Sequence, residues 1–164
     1  VIARLALALL FGVAALGCEP PEDVEPLPCR NPDPGLAELG RGDLATGFLE
    51  AVDGEDIPLV FGPQGMHMVV ISARVIDLEP SRAGGIGNRI SVAVRSDGVV
   101  VGGTVNDMQP SEEDDESTDF LGIRAIMTAA EVELLDGELA DVEVIVRDGC
   151  GRELSAERSL RLVL

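Results

Sequence analysis

From Leu44 to Leu164 apolar residues alternate with polar ones in short runs, separated by Gly, Pro and Asp at intervals of about ten residues. A period of two is the pattern of a strand with one face in a core. It predicts seven or eight strands, at Leu44–Val52, Ile57–Phe61, Met66–Leu78, Arg89–Arg95, Val99–Val105, Phe120–Leu134, Val142–Arg147 and Ser155–Leu164. Turn chemistry lies between them. Gly62-Pro63-Gln64-Gly65 offers a proline that pre-sets the backbone for a turn and a glycine to close it, and Ser96-Asp97-Gly98 and Asp148-Gly149-Cys150-Gly151 are hairpin signals. On these runs Val69, Ile71, Val92, Val94, Val144, Val146, Leu160 and Leu162 share the predicted inner faces. One stretch fits two periods: Ile123, Ala125 and Met127 fall at strand spacing, while Ile123, Ile126, Met127, Ala130 and Leu134 fall at helical spacing. The whole reads as all-β, an antiparallel immunoglobulin-like sandwich.

Ahead of these runs the pattern changes twice. Residues 1–17, VIARLALALLFGVAALG, carry one charge, Arg4, and then an uncharged, mostly apolar core from Leu5 to Leu16. Such a core is a signal peptide, too short to cross a bilayer as a stable helix. Residues 18–41 form an acidic segment in which Glu19–Gly35 holds six of the ten prolines and no apolar periodicity. Proline-rich chain runs near polyproline II at about 3.1 Å per residue, so Glu19–Pro28 would hold the domain at 42–164 roughly 30 Å from its attachment point.

The junction of leader and tether, Ala15-Leu16-Gly17-Cys18, resembles the lipobox of bacterial lipoproteins. That resemblance implies cleavage after Gly17 and a diacylglycerol (with palmitate among its acyl chains) on the Cys18 thiol, hence a membrane-anchored, exported envelope protein. Ala15 stands where the family most often has Leu, and Ala15 with Gly17 also fits the small-x-small site of ordinary secretion. Glu19 in place of the Asp that retains lipoproteins at the inner membrane tilts the expectation to the outer membrane.

Charge narrows the partners. The chain carries 30 acidic and 12 basic residues, a formal net charge of −18. Nucleic acid and anionic head groups are bound mainly through Lys and Arg, so neither is an expected partner. With no Trp or Tyr, and only Phe48, Phe61 and Phe120 after the leader, an aromatic platform for sugars is not expected either.

Two further resemblances rest on particular residues. The run from Phe48 to Arg74, with Asp53-Gly54-Glu55 and then Ile57-Pro58-Leu59-Val60-Phe61-Gly62-Pro63-Gln64-Gly65-Met66-His67, looks like secreted lipoproteins of myxobacterial type that carry a GPQG-x-H segment. It brings no known activity. The closing VEVIVRDGCGRELSAERSLRLVL resembles the end of bacterial immunoglobulin-like and fibronectin III-like extracellular domains, which implies a fold rather than a function.

Few residues carry chemistry. With Cys18 lipidated, Cys29 and Cys150 are left as a pair in an oxidising compartment, where a disulfide is their simplest use. His67 is the only histidine, and no Gly-x-Ser-x-Gly elbow is present, so a hydrolase is a remote alternative and a non-catalytic module is expected. The acidic run 111–119 offers oxygen ligands to calcium, with Asp107, Glu112, Glu113, Asp114, Asp115 and Asp119 as candidates, although EF-hand spacing is missing. The reading is a lipid-anchored binding or structural module that contacts other envelope or surface proteins, without a cofactor. A calcium-binding domain is the alternative.

Overall fold

The computed structural model describes residues 35–79, 87–114 and 116–164. Ten strands run in chain order: β1 (Leu36–Arg41), β2 (Leu49–Glu50), β3 (Asp56–Phe61), β4 (His67–Ile76), β5 (Asn88–Ser96), β6 (Val99–Met108), β7 (Glu112–Glu113), β8 (Ser117–Met127), β9 (Leu139–Arg147) and β10 (Glu153–Val163). One short 3₁₀ turn, η1 (Val132–Leu135), lies between β8 and β9. Every strand belongs to one sheet in the order β2-β1-β4-β3-β10-β9-β5-β6-β8-β7, and β4 pairs again with β8.

That last pairing corrects the expected immunoglobulin-like sandwich. It closes β4, β3, β10, β9, β5, β6 and β8 into a seven-strand barrel, so one sheet rather than two packed sheets encloses the core. All ring pairings are antiparallel except β3 with β10, where Ile57 stands beside Leu162 in a parallel pair. Closure has visible local causes. β4 is bonded to β8 from Met68 to Ile76, and a register shift opposite Ile71 and Ala73 bulges β8 at Gly122, whose φ of +70° suits glycine. β6 meets β8 through Gly102 and Gly103, where a Cβ on Gly102 would stand 2.7 Å from the Met127 sulfur and 3.0 Å from the Ile126 carbonyl oxygen. Only a residue without a side chain lets the two strands approach that closely.

The alternation predicted from sequence sorts inside from outside. Val69, Ile71, Val92, Val94, Val144, Val146, Leu160 and Leu162 are all buried in one core, with Phe120 the largest fully buried side chain. The outward positions of β5 and β9 carry Arg89, Ser91, Arg95, Asp141 and Glu143, so this barrel is apolar inside and polar outside. A membrane-spanning barrel has the reverse arrangement.

Three boundaries differ from expectation. β1 lies within residues 18–41, expected as tether, and pairs along β4 from Leu36 opposite Ile76 to Gly40 opposite Ser72. Of Leu44–Val52, expected as one strand, only Leu49–Glu50 is strand, and residues 44–46 are a turn because the Asp43 carboxylate accepts hydrogen bonds from the backbone N–H groups of Ala45 and Thr46. Those two bonds, with a third from the Thr46 hydroxyl, hold the Asp43 carboxyl below the ordinary range. The ambiguous stretch after Phe120 resolves as strand through Met127, followed by η1, whose Val132 and Leu135 are buried against the core.

The barrel has two distinct ends. One collects the start of β1, the ends of β4, β6 and β9, the starts of β5, β8 and β10, and the Asp148–Arg152 turn. The opposite end collects the Gly62–Met66 turn, the Asp97-Gly98 hairpin, η1 and the last residues of β10. The chain therefore enters β1 at the end away from η1.

Candidate functional site

An open concavity lies at the η1 end. Gly65 donates to the Gly62 carbonyl and Gly62 to the Met66 carbonyl, so the Gly-Pro-Gln-Gly turn folds tightly and delivers Met66 and His67 to the rim at the start of β4. Phe61 faces His67 across the β3–β4 pair, ring centroids 5.1 Å apart and planes at 69°, an edge-to-face contact. From the other side the chain leaving β8 brings Ala129, Ala130, Val132 and Glu133; the Thr128 and Ala129 amides both donate to the Val101 carbonyl, which fixes that wall. Between the walls lies an open groove of about 330 Å³ with Met127 also in its lining. Sequence reading singled out His67 and the GPQG turn; it missed the second wall, because nothing local links residues 129–133 to residues 61–67.

The groove mixes apolar side chains from Phe61, Met66, Met127, Ala129, Ala130 and Val132 with walls whose exposed surface is mostly polar. Its lining contains one imidazole, one carboxylate and no hydroxyl or thiol side chain. Apolar exposure continues around the same end at Val99, Val100, Leu134, Leu139 and Leu164.

The acidic run lies toward the opposite end, where Glu112, Glu113, Asp114 and Asp119 line one pocket of about 190 Å³ with Arg74 and Ser117. Asp119 faces Arg74 in a two-pronged ion pair, Nε to Oδ1 at 2.8 Å and Nη2 to Oδ2 at 2.9 Å, with the guanidinium 4.5 Å above the Phe48 ring. Hydrogen bonding to Asp119 pushes Arg74 further up from its ordinary pKa. Glu112 and Glu113 sit on β7 opposite Asp119 and Thr118, and Asp107 sits on β6 opposite Arg89. The Asp114 carboxylate accepts from the Glu116 and Ser117 amides, which lowers its pKa by stabilising the charged form. Asp115 lies outside the described residues. Although Glu112, Glu113, Asp114 and Asp119 share a pocket, among the described residues no three His, Cys, Asp or Glu side chains are grouped to hold a metal ion. Arg74→Ala is expected to destabilise the protein by about 2–4 kcal/mol, because it strands the buried Asp119 charge. Adding Asp119→Leu should recover much of the loss; equal loss in the double variant by chemical denaturation would contradict this.

Where the chain enters, the last hairpin is held by Asp148. Its buried carboxylate accepts from the Cys150 and Arg152 amides and pairs with the Arg152 Nε at 2.6 Å, while the Gly149 amide donates to the Glu79 carbonyl. Cys150 sits half-buried in this turn and is not a free thiol. Cys18 and Cys29 lie outside the described residues, as does the whole leader.

Comparison of the chain with protein-family models and with curated proteins gives no match.

Proposed function

We propose that the chain is a lipid-anchored, non-catalytic envelope module that binds a partner through the groove beside His67. Lipid on Cys18 places the tether at the membrane, and a Cys29–Cys150 disulfide pins the end of that tether to the β9–β10 turn. The observation that carries the reading is polarity along the barrel: β1 begins beside Ile76 and Leu154, whereas the groove opens at the end formed by η1 and the β3–β4 turn. A domain held by its β1 end presents the groove away from the anchor. Phe61 and Met66 stand exposed beside this groove, and exposed apolar side chains at a concavity are a common mark of a contact site.

The test uses the protein in its native envelope. A photo-crosslinking residue at Met66 should give a discrete adduct, and the same residue at Glu153, at the other end, should not. Adducts of equal yield at both positions, or none from Met66, would remove the reading. In the same cells labelled palmitate should enter the protein and be lost on Cys18→Ser; incorporation that survives the substitution rejects the anchor.

A further inference from the structure

We infer that the free edge of β6 is a second contact site, separate from the groove, which takes an extended polypeptide segment as an added strand and meets an acidic side chain of that segment with Arg124. β6 is paired with β5 from Val99 to Met108 but meets β8 only at Gly102 and Gly103. The Val101 carbonyl faces β8, where it accepts the Thr128 and Ala129 amides, so by alternation the backbone groups of Gly103, Val105 and Asp107 point to that same side. Gly103 pairs with Ile126 there, while Val105 and Asp107 have no strand beside them among the described residues. Exposure agrees. Val105 is 54% exposed, and Asn106 is exposed although it shares a face with its fully buried β5 partner Ile90, so the wall lacks cover at this point. Unpaired amides and carbonyls along a strand are a template for the main chain of another segment.

The fold limits what can dock. At one end of the free stretch Gly103 pairs with Ile126; at the other the Ser111 amide donates to the Asp119 carbonyl and the Ser111 hydroxyl accepts from the Leu121 amide. Residues 104–108 lie between these closures, about 17 Å of strand. A strand already built into a second barrel is kept off by both closures and by its own neighbours; a lone extended segment is not. The chain's own residues 19–35 are a poor occupant, because they hold six of the ten prolines and proline brings no amide to a ladder.

Charge selects the side chain. Of the nine arginines among the described residues, seven stand within 4.0 Å of a carboxylate. The other two are Arg89, which has Asp107 directly opposite on β6, and Arg124, whose neighbour on β4 is Val70. Arg124 is exposed on the outer face of β8, and continuing the β6–β8 register past Gly103 sets it level with Val105. A segment laid along β6 passes between the two, so its outward side chain opposite Val105 comes within reach of the guanidinium. A carboxylate there completes a pair that this acidic chain leaves open. At physiological salt the Debye length is about 8 Å, so the local pair outweighs the net charge of −18.

A labelled peptide, Thr-Val-Thr-Glu-Thr-Val-Thr, whose outward row is Val, Glu and Val, tests this by fluorescence anisotropy against the chain purified from the envelope. Lys in place of Glu should weaken binding about tenfold. Of two versions N-methylated along one edge or the other, one should no longer bind. Arg124→Gln should weaken binding about tenfold and erase the preference for Glu over Lys. Val105→Pro should abolish binding, because that amide faces away from β5 and its loss breaks no bond of the β5–β6 ladder; circular dichroism confirms that each variant is folded. In the unsubstituted chain, hydrogen exchange at the Val105 and Asp107 amides should slow when peptide is added, and Phe61→Ser, in the groove, should change none of these results. Equal binding by both N-methylated versions, or binding by no peptide at all, would overturn the added strand. Equal binding of the Glu and Lys peptides would overturn the role of Arg124. A dimer of the chain that is lost in Val105→Pro would make a second copy the occupant and overturn the inference.

Discussion

Phe120→Ala is expected to destabilise the barrel by about 3–5 kcal/mol, the cost of removing a ring from a core that cannot collapse around the space. Phe120 is fully buried, stands opposite Ala73 on β4, and is the only aromatic ring buried among the described residues. It lies one turn of the bulge away from Gly122, where β8 bends to close the ring, so its loss falls on the pairing that makes a barrel of the sheet. A domain of this size has about 5–15 kcal/mol in total, and one substitution would remove a large share. Phe120→Leu, which keeps most of the volume, should cost about 1–2 kcal/mol. Urea denaturation followed by circular dichroism measures both, with the slope unchanged if only stability has moved. Phe61→Ala is the contrast: its ring is 65% exposed, and it should cost well under 1 kcal/mol. A loss at Phe61 as large as that at Phe120 would mean the ring is structural, and the groove would lose its standing as a free surface.

How much of this was legible in the sequence follows from what alternation encodes. A period of two states which side of a strand is buried, and all eight side chains placed inside by it are inside. It does not state which strand lies next to which. Sandwich and barrel both need alternating strands joined by tight turns; what separates them is the pairing of β4 with β8 and the approach of β6 to β8. The residues that permit closure were in view as Gly102-Gly103 and Gly122, yet a glycine in a strand reads equally as a weak point, a bulge or a crossing. Turn chemistry was the more reliable guide where both central residues demanded it: Asp97 and Gly98 take φ of +49° and +76°, the pair a two-residue hairpin needs. It failed at Leu44–Val52, where apolar spacing looked like a strand while Asp43 had already committed the backbone to a turn.

The site was half legible for the same reason. One wall is local, the GPQG turn with its His67. The other arrives more than sixty residues later, from Ala129 to Glu133, in the stretch whose spacing fitted helix and strand alike. Only the strand period held: β8 runs to Met127, Ala130 and Leu134 of the helical set are exposed, and η1 instead buries Val132 and Leu135 over the mouth of the barrel. The acidic run was legible as a cluster but its partner was not: the fold gathers Glu112, Glu113, Asp114 and Asp119 around one pocket, where Arg74, far away in sequence, takes Asp119.

Removing a Cys29–Cys150 bond is expected to lower stability by up to about 4–5 kcal/mol, the chain-entropy value for a closed loop of more than a hundred residues before any strain is deducted. The fold makes the closure short in space although it is long in sequence. Gly35 sits so close to the last strand pair that a Cβ there would meet the Ile76 carbonyl at 2.4 Å and the Leu154 side chain at 3.5 Å, so the chain passes the base of the turn that carries Cys150. Five residues lie between Cys29 and Gly35, and the six residue steps span at most about 20 Å at full extension. The turn is rigid, with the Cys150 amide held 2.9 Å from the Asp148 carboxylate, so the bond would hold the tether against the barrel at a fixed point. Cys29→Ser and Cys150→Ser should therefore each lower the melting temperature by the same amount, and the double variant should fall no further, because both remove one bond. Reductant should reproduce the shift in the unsubstituted protein and leave the variants unmoved. Peptide mapping of unreduced protein taken from the envelope decides the matter: a linked pair containing Cys29 and Cys150 is expected, and two freely alkylated thiols would refute it. With the bond in place, the Pro-rich spacer acts only from Cys18 to Cys29, and the groove is carried a full barrel length beyond it.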